Sequence, residues 1–261
     1  MDRLSRHELR RLDTGTLLRA YTAGLFPMAD TREAEDIFWV EPRRRGILPL
    51  EDFHLPRSLA KTLKQERFFH SSDLAFGAVI RSCAASAAGR QQSWINPVIL
   101  DAYTRLHFEG HAHSVEIWDR TGRLVGGLYG VRIGGSFFGE SMFSRATDAS
   151  KAALAHLVAR LRAGSFRLLD TQFLTAHLAS FGGKEVRRGQ YLTLLREAVA
   201  ADGDWDALPR ALGLDQFVVP SVVVDLACPL GETPEAFAEP SALAEAGPSG
   251  KCIVQLLSQT S

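Results

Sequence analysis

GGLYGVRIGGSFFGESMFSRATDASK, residues 126–151, holds two strands, the turn that joins them and the start of a helix. Leu128 and Val131 give the first strand its apolar content, and Phe137 and Phe138 the second. Gly134-Gly135 between them is the pair a tight hairpin turn needs, because glycine reaches positive φ at no steric cost. The second strand then turns polar through Gly139, Glu140, Ser141, Met142 and Phe143. A carboxylate among aromatics on a central strand is costly to bury unless something pairs with it. Glu140 is therefore either a group held for chemistry or a carboxylate satisfied by backbone N–H groups near a strand end.

Downstream, Thr147 or Asp148 caps a helix to about Ala163, with Ala153, Leu154, Leu157, Val158 and Leu161 as its apolar face and Gly164 as its stop. Residues 166–172 read as a strand on which Asp170 and Gln172, two apart, share a face. A helix opens near Thr175 and ends before Gly182-Gly183, and 190–201 form a last amphipathic helix. Residues 217–220 and 222–224 look like strand. From Cys228 to Gly250 the chain is rich in Ala, Glu, Pro and Gly, which reads as a loosely ordered tail. It ends in an apolar segment, 252–257, expected to dock.

Upstream, His111 and His113 flank Ala112 at the opening of a strand. Two rings on one strand face suit a metal, but no third ligand stands at a convincing spacing, so none is expected. Asn96-Pro97 is a cap and first-position pair for a helix closed by Gly110. Asp73 caps a helix to about Ala87 that buries Phe76, Val79, Ile80 and Cys83. Arg57, Lys61 and Lys64 project from one helical face with no acid between them. That stripe is either a solvated face or a footprint for a phosphate backbone. Thr14 caps a short helix carrying Leu17, Leu18 and Tyr21, stopped by Gly24. Residues 37–40 are a short strand, and Arg43, Arg44 and Arg45 after it are a solvated corner or a phosphate hold.

The 261 residues are 46% hydrophobic and 23% charged, an ordinary globular mixture with ample material for a core. Net charge is zero, so a nucleic-acid partner must be met by a local basic patch. Cys83, Cys228 and Cys252 are odd in number and far apart, which fits a reducing compartment rather than a disulfide framework. No run has the length of a membrane span, and MDRLSRHELRRLD lacks the apolar centre of a signal peptide. A cytoplasmic, monomeric protein without cofactor is expected.

Helices and strands in this order predict a mixed sheet with helices on both faces, an α/β (α+β) class. The order matches acyltransferases of the GNAT type. Their glycine-rich loop, which cradles the pyrophosphate of coenzyme A, should open the helix after the hairpin. Here that junction reads Ser144-Arg145-Ala146-Thr147-Asp148, with an aspartate where an anion would sit. A CoA-dependent acetyltransferase is the rival reading, disfavoured by that loop.

The sequence resembles the leucyl/phenylalanyl-tRNA–protein transferases. The motifs that carry this are AYTAGLFP (20–27), FWVEPRRRGIL (38–48), LHFEGHAHSVEIW (106–118), LVGGLYGV (124–131), FFGESMFSRATDASKAAL (137–154) and LLDTQFLTAHLASFGG (168–183). The resemblance implies a small N-terminal domain over 1–45, a GNAT-like domain over 46–226 and a tail over 227–261. It implies transfer of leucine or phenylalanine from charged tRNA to proteins that begin with arginine or lysine, which marks them for degradation. Glu140, Asp170 and Gln172 align with the active-site carboxylate and its Asp-x-Gln pair. Trp94 aligns with an aromatic that stacks on the terminal adenosine, and Met28 stands where relatives carry a second tryptophan. Leu128, Phe137, Leu161 and Leu169 fall at positions of the side-chain pocket, Leu128 and Leu161 replacing a methionine and a phenylalanine. Arg57, Lys61 and Lys64 fall in a tRNA-binding helix, and Arg45 joins them as a tRNA contact.

Overall fold

The computed structural model describes residues 12–85, 92–212, 222–224, 232 and 234–259. Helix α1 (Thr14–Thr22) is capped by Asp13, whose carboxylate accepts from the N–H of Thr16 at 2.7 Å, one residue before the expected cap. Strands β1 (Phe26–Met28) and β2 (Phe38–Val40) form a small antiparallel pair. They are followed by β3 (Arg44–Ile47), α2 (Arg57–Lys64), β4 (Phe69–Ser72) and α3 (Phe76–Ala84). Helix α4 (Pro97–Phe108) starts as its sequence demands: Asn96 accepts from the N–H of Ile99, and Pro97 fills the first turn. The hairpin follows, with β5 (Ala112–Trp118), β6 (Leu124–Ile133) and β7 (Ser136–Ser144), and Gly134 takes φ +54° in its turn.

Then come α5 (Ala149–Ala163), β8 (Leu168–Gln172), α6 (Ala176–Ala179), β9 (Lys184–Arg187), α7 (Arg188–Val199) and α8 (Ala207–Ala211). Strands β10 (Val222–Val224) and β11 (Ala236–Ala238), with helices α9 (Pro240–Glu245) and α10 (Gly250–Ser258), complete the described chain. The stretch from Ala236 to Glu245 is thus regular structure rather than loose tail. The 252–257 segment does dock, as a helix against α2 and α5. The expected strand at 217–220, Cys228 and the far end of the α3 reading at Ala87 lie outside the described residues.

Seven strands form one sheet in the order β4-β5-β6-β7-β8-β3-β9. The arginine-rich corner is therefore a strand, wedged antiparallel between β8 and β9. Among the described residues only β7 and β8 run parallel, joined across the sheet by α5. Helices α1, α3, α4 and α7 cover one face, burying Tyr21, Val79, Tyr103 and Leu195 with Phe138. Helices α2, α5 and α10 cover the other, where Leu59, Leu157 and Ile253 pack with Val115 and Phe137. Each such side chain contributes about 1.5–3 kcal/mol when fully buried.

Two expected caps do other work. Asp73, at φ +58°, stands three residues before the first residue of α3 and accepts from the Ser114 N–H, Trp205 Nε1 and His113 Nδ1 at 2.7–2.8 Å. Asp148, at φ +69°, caps α5 by position only, its carboxylate turned to Lys151 and Thr62.

Candidate active site

The parallel pairing of β7 with β8 is short. It runs from Ser136–Leu168 to Phe138–Asp170 and stops, while β7 continues to Ser144. A cavity of about 450 Å³ opens where the rungs end. Two residues past the last rung stand Glu140 on β7 and Gln172 on β8.

Both strands are irregular at this point. Tyr129 pairs with Ser141 and Gly130 with Gly139, which leaves Glu140 as an extra residue without a rung. A bulge re-aims the side chain it carries. On β8, Gly46 pairs with Gln172 and Ile47 with Asp170, leaving Thr171 out of the ladder. A Cβ on Gly46 would come within 2.7 Å of backbone atoms of Phe173 and Leu174, so β3 approaches β8 this closely only with glycine there. Gln172 itself sits at φ +61°, a left-handed conformation that costs a side-chain-bearing residue about 1–3 kcal/mol.

The buried Glu140 carboxylate is met by side chains rather than by backbone N–H groups. Tyr21 donates to Oε1 at 2.7 Å, Tyr103 to Oε2 at 3.2 Å and Gln172 Nε2 to Oε1 at 2.9 Å. The two tyrosine hydroxyls also touch each other. Asp170 is held differently. Arg45 grips it through Nε and Nη2 at 2.8–3.0 Å, Tyr191 donates to Oδ2 at 2.6 Å, and the Gln172 backbone N–H donates to Oδ1 at 2.7 Å.

The two carboxylates therefore differ in character. Asp170 has a bidentate cation. Glu140 is paired with neutral donors, so burial pushes its pKa up to about 7; the Asp170 charge adds to this, and the hydrogen bonds from Tyr21, Gln172 and Tyr103 oppose it. A carboxyl group so placed can take or release a proton near neutrality.

The cavity wall is apolar, with Leu128 from β6, Met142 from β7, Leu154 and Leu157 from α5, Leu169 from β8 and Phe173 beyond it. Glu140 stands at its polar edge. An apolar cavity beside one titratable carboxylate suits an acyl donor with a hydrophobic side chain.

Residues 47–196 match the family model for leucyl/phenylalanyl-tRNA protein transferase, and 10–43 match that of its N-terminal domain. A leucyl/phenylalanyl-tRNA–protein transferase of Rhizorhabdus wittichii is 53% identical over 254 residues, covering 97% of this chain and all of the relative. Proteins with the same description in Zymomonas mobilis and Paramagnetospirillum magneticum are 53% and 54% identical, each over 76% of this chain and over 76% and 94% of their own. The chain belongs to the leucyl/phenylalanyl-tRNA–protein transferase family. It is an aminoacyltransferase, and its mixed sheet with a small N-terminal domain is the acyltransferase architecture its element order predicts.

Against this transferase frame, Glu140, Asp170 and Gln172 form one connected group, and Leu128 and Leu169 stand in the cavity wall. Three other residues expected at the site are buried away from the cavity surface. Phe137 and Leu161 are fully buried and absent from the wall: Phe137 stacks on Trp205 at 5.4 Å, and Leu161 lies further along α5 than the wall residues Leu154 and Leu157. Arg45 lies inside the protein rather than on its surface. It is 1% exposed, bound to Asp170, and lies over the rings of Phe26 and Tyr191 at 4.5 and 4.8 Å.

Met28 and Trp94 are both half-buried against the core cluster that contains Tyr21 and Tyr103. Arg57, Lys61 and Lys64 are exposed on α2 above buried Leu59 and Leu63, with no ion pair among the described residues. His113 is committed to Asp73 and stacks on Trp205 at 4.4 Å. Sequence reasoning missed Tyr21 and Tyr103 as partners of Glu140. Their only signal was a tyrosine on the buried face of each helix.

Proposed function

We propose that the enzyme transfers leucine or phenylalanine, and methionine weakly, from charged tRNA to proteins that begin with arginine or lysine, marking them for N-degron degradation. The observation that carries this reading is the 2.9 Å contact between Gln172 and a Glu140 poised near pH 7, at the edge of an apolar cavity of about 450 Å³. The aminoacyl side chain enters the cavity, and its ester carbonyl lies beside that pair. The acceptor α-amine, with a pKa near 8, attacks as the neutral base. The new C–N bond forms as the ester C–O bond breaks and the ribose oxygen leaves. The surplus proton passes from the amine to Glu140, or across the ribose 2′-hydroxyl to the leaving oxygen.

Because the ester is already activated, most of the acceleration comes from holding amine and carbonyl in line. Gln172 positions rather than abstracts, since a neutral amide is a very weak base. Asp170 acts through the Gln172 backbone N–H it accepts from. Trp94 and Met28 receive the terminal adenosine, and Arg57, Lys61 and Lys64 receive tRNA phosphates. Charged tRNA is made in the cytoplasm, where we place the enzyme, working as a monomer without cofactor or metal.

The test offers leucyl-, phenylalanyl-, methionyl- and arginyl-tRNA with peptides that begin with Arg, Lys, Asp or Met, and reads product mass. Transfer of leucine and phenylalanine to Arg and Lys peptides is expected. Transfer from arginyl-tRNA, or to Asp peptides in preference, would overturn the substrate assignment, and acetylation from acetyl-CoA would overturn the reaction class.

A further inference from the structure

Helix α10 is fastened to the basic helix α2. The Glu66 carboxylate, just past the end of α2, accepts from the N–H groups of Gly250 and Lys251 at 3.0 and 3.1 Å. Gly250 lies so close to α2 that a Cβ there would come within 2.3 Å of the Leu63 carbonyl oxygen. At the other end Arg162 donates to the Leu257 carbonyl at 3.2 Å while its remaining N–H groups hold Leu50 and Glu51. Between these ties Ile253, Val254 and Leu257 are buried in the core under α5 and α2.

This seating decides where charge goes. Residues 57–67 carry Arg57, Lys61, Lys64 and Arg67, all exposed, against Glu66 alone. Both oxygens of Glu66 are engaged by the α10 backbone. Asp148, which reaches Thr62, is neutralised by Lys151 at 2.8 Å. Lys251 is exposed and directly follows the glycine that abuts Leu63, as Lys64 directly follows Leu63. Helix α10 carries no carboxylate of its own. Its first N–H groups are spent on Glu66 and Ser249, so any anion there must be met by side chains.

We propose that α10 is part of the tRNA-docking face: Lys251 continues the α2 cation row as a further phosphate contact, and the Glu66 and Arg162 ties hold it in line. This rests on the reading of α2 as the tRNA-binding helix and deepens it. In a chain of zero net charge, Arg57, Lys61 and Lys64 on α2, Arg67 just past its end and Lys251 on α10 make a local patch of five cations, the footprint a phosphate backbone requires.

The test measures binding of the full-length enzyme to tRNA across a salt series, for Lys251→Glu, Lys251→Gln and Lys61→Glu, with thermal unfolding as the check on fold. Lys251→Gln is expected to weaken binding several-fold at about 0.1 M salt and to make the log–log salt slope shallower by about one, and Lys251→Glu to weaken it further. If Lys61→Glu weakens binding and both Lys251 variants leave affinity and slope unchanged, the role of α10 is overturned. If Lys61→Glu also leaves binding unchanged, the α2 reading itself falls, and the α10 inference with it.

Discussion

The side-chain amide of Gln172 donates to Glu140 at 2.9 Å while the backbone N–H of the same residue donates to Asp170 at 2.7 Å. One residue in a left-handed conformation thus joins an ion-paired carboxylate to one without a cation. Holding that conformation costs about 1–3 kcal/mol, which is understandable if the amide must point at one place. Gln172→Ala is expected to lower kcat/KM for peptide transfer by about a hundredfold or more. Gln172→Gly should lose activity to the same extent but unfold less readily than the alanine variant, because glycine is unstrained at φ +61°. Full transfer by Gln172→Ala, with an unchanged dependence on acceptor, would remove Gln172 from the mechanism.

Activity should rise with pH through two ionisations. Glu140, pushed up to about 7, must shed its proton to act as acceptor, and the peptide amine must become neutral near pH 8. Glu140→Gln is expected to cost about a hundredfold and to erase the lower limb, leaving only that of the amine. Tyr21 and Tyr103 donate to the charged form, so Tyr21→Phe should move the lower limb to higher pH. A pH–rate profile in which Glu140→Gln keeps both limbs would assign the lower one elsewhere.

The same shift predicts a trade between activity and stability. A carboxyl group near 4.5 in the unfolded chain and about 7 in the folded one favours folding at pH below 4.5, and that contribution is lost as pH rises through 7. The full swing is of order 3 kcal/mol. Glu140→Gln, which cannot ionise, should therefore raise the unfolding midpoint of the enzyme at pH 8 and change it little at pH 5. Equal effects at both pH values would mean that Glu140 titrates in its ordinary range.

Much of the site can be read locally. Asp170 and Gln172 are legible as a pair of polar residues two apart at the end of an apolar strand, and Glu140 stands out as a carboxylate between aromatics. The same reasoning applied to Glu116, a carboxylate in the apolar run of β5, should have marked a second buried acid. It is fully buried and satisfied by Ser71, Ser114 and the Ala75 N–H, a structural use that no local pattern separates from a chemical one. What the chain hides is register. The bulge at Glu140 breaks the alternation of β7, so Phe137 and Met142, five apart, pack on the same side of the sheet, one behind the cavity and one in its wall. Nor does a run of three arginines say which one turns inward. Arg45 does so because β3 is wedged between β8 and β9, a long-range pairing invisible in four residues.

That inward turn makes Arg45 the strictest test of how the site is supported. Arg45 holds Asp170 by both oxygens and donates to the Gly24 carbonyl at 3.2 Å, tying the segment before β1 to the strand that carries Gln172. Removing it strands a buried charge, so Arg45→Ala should destabilise the protein by about 3–5 kcal/mol in denaturant unfolding. Arg45→Lys should recover only part of this, since an ammonium cannot reproduce the two-pronged grip. The double variant Arg45→Met with Asp170→Leu removes both charges together and is expected to regain most of the stability. It should remain slow, with kcat reduced more than KM is raised, because nothing then accepts the Gln172 backbone N–H and the amide loses its aim at Glu140. If that double variant transferred leucine at the native rate, Asp170 would be structural support alone and the orientation of Gln172 would have to come from β3 packing.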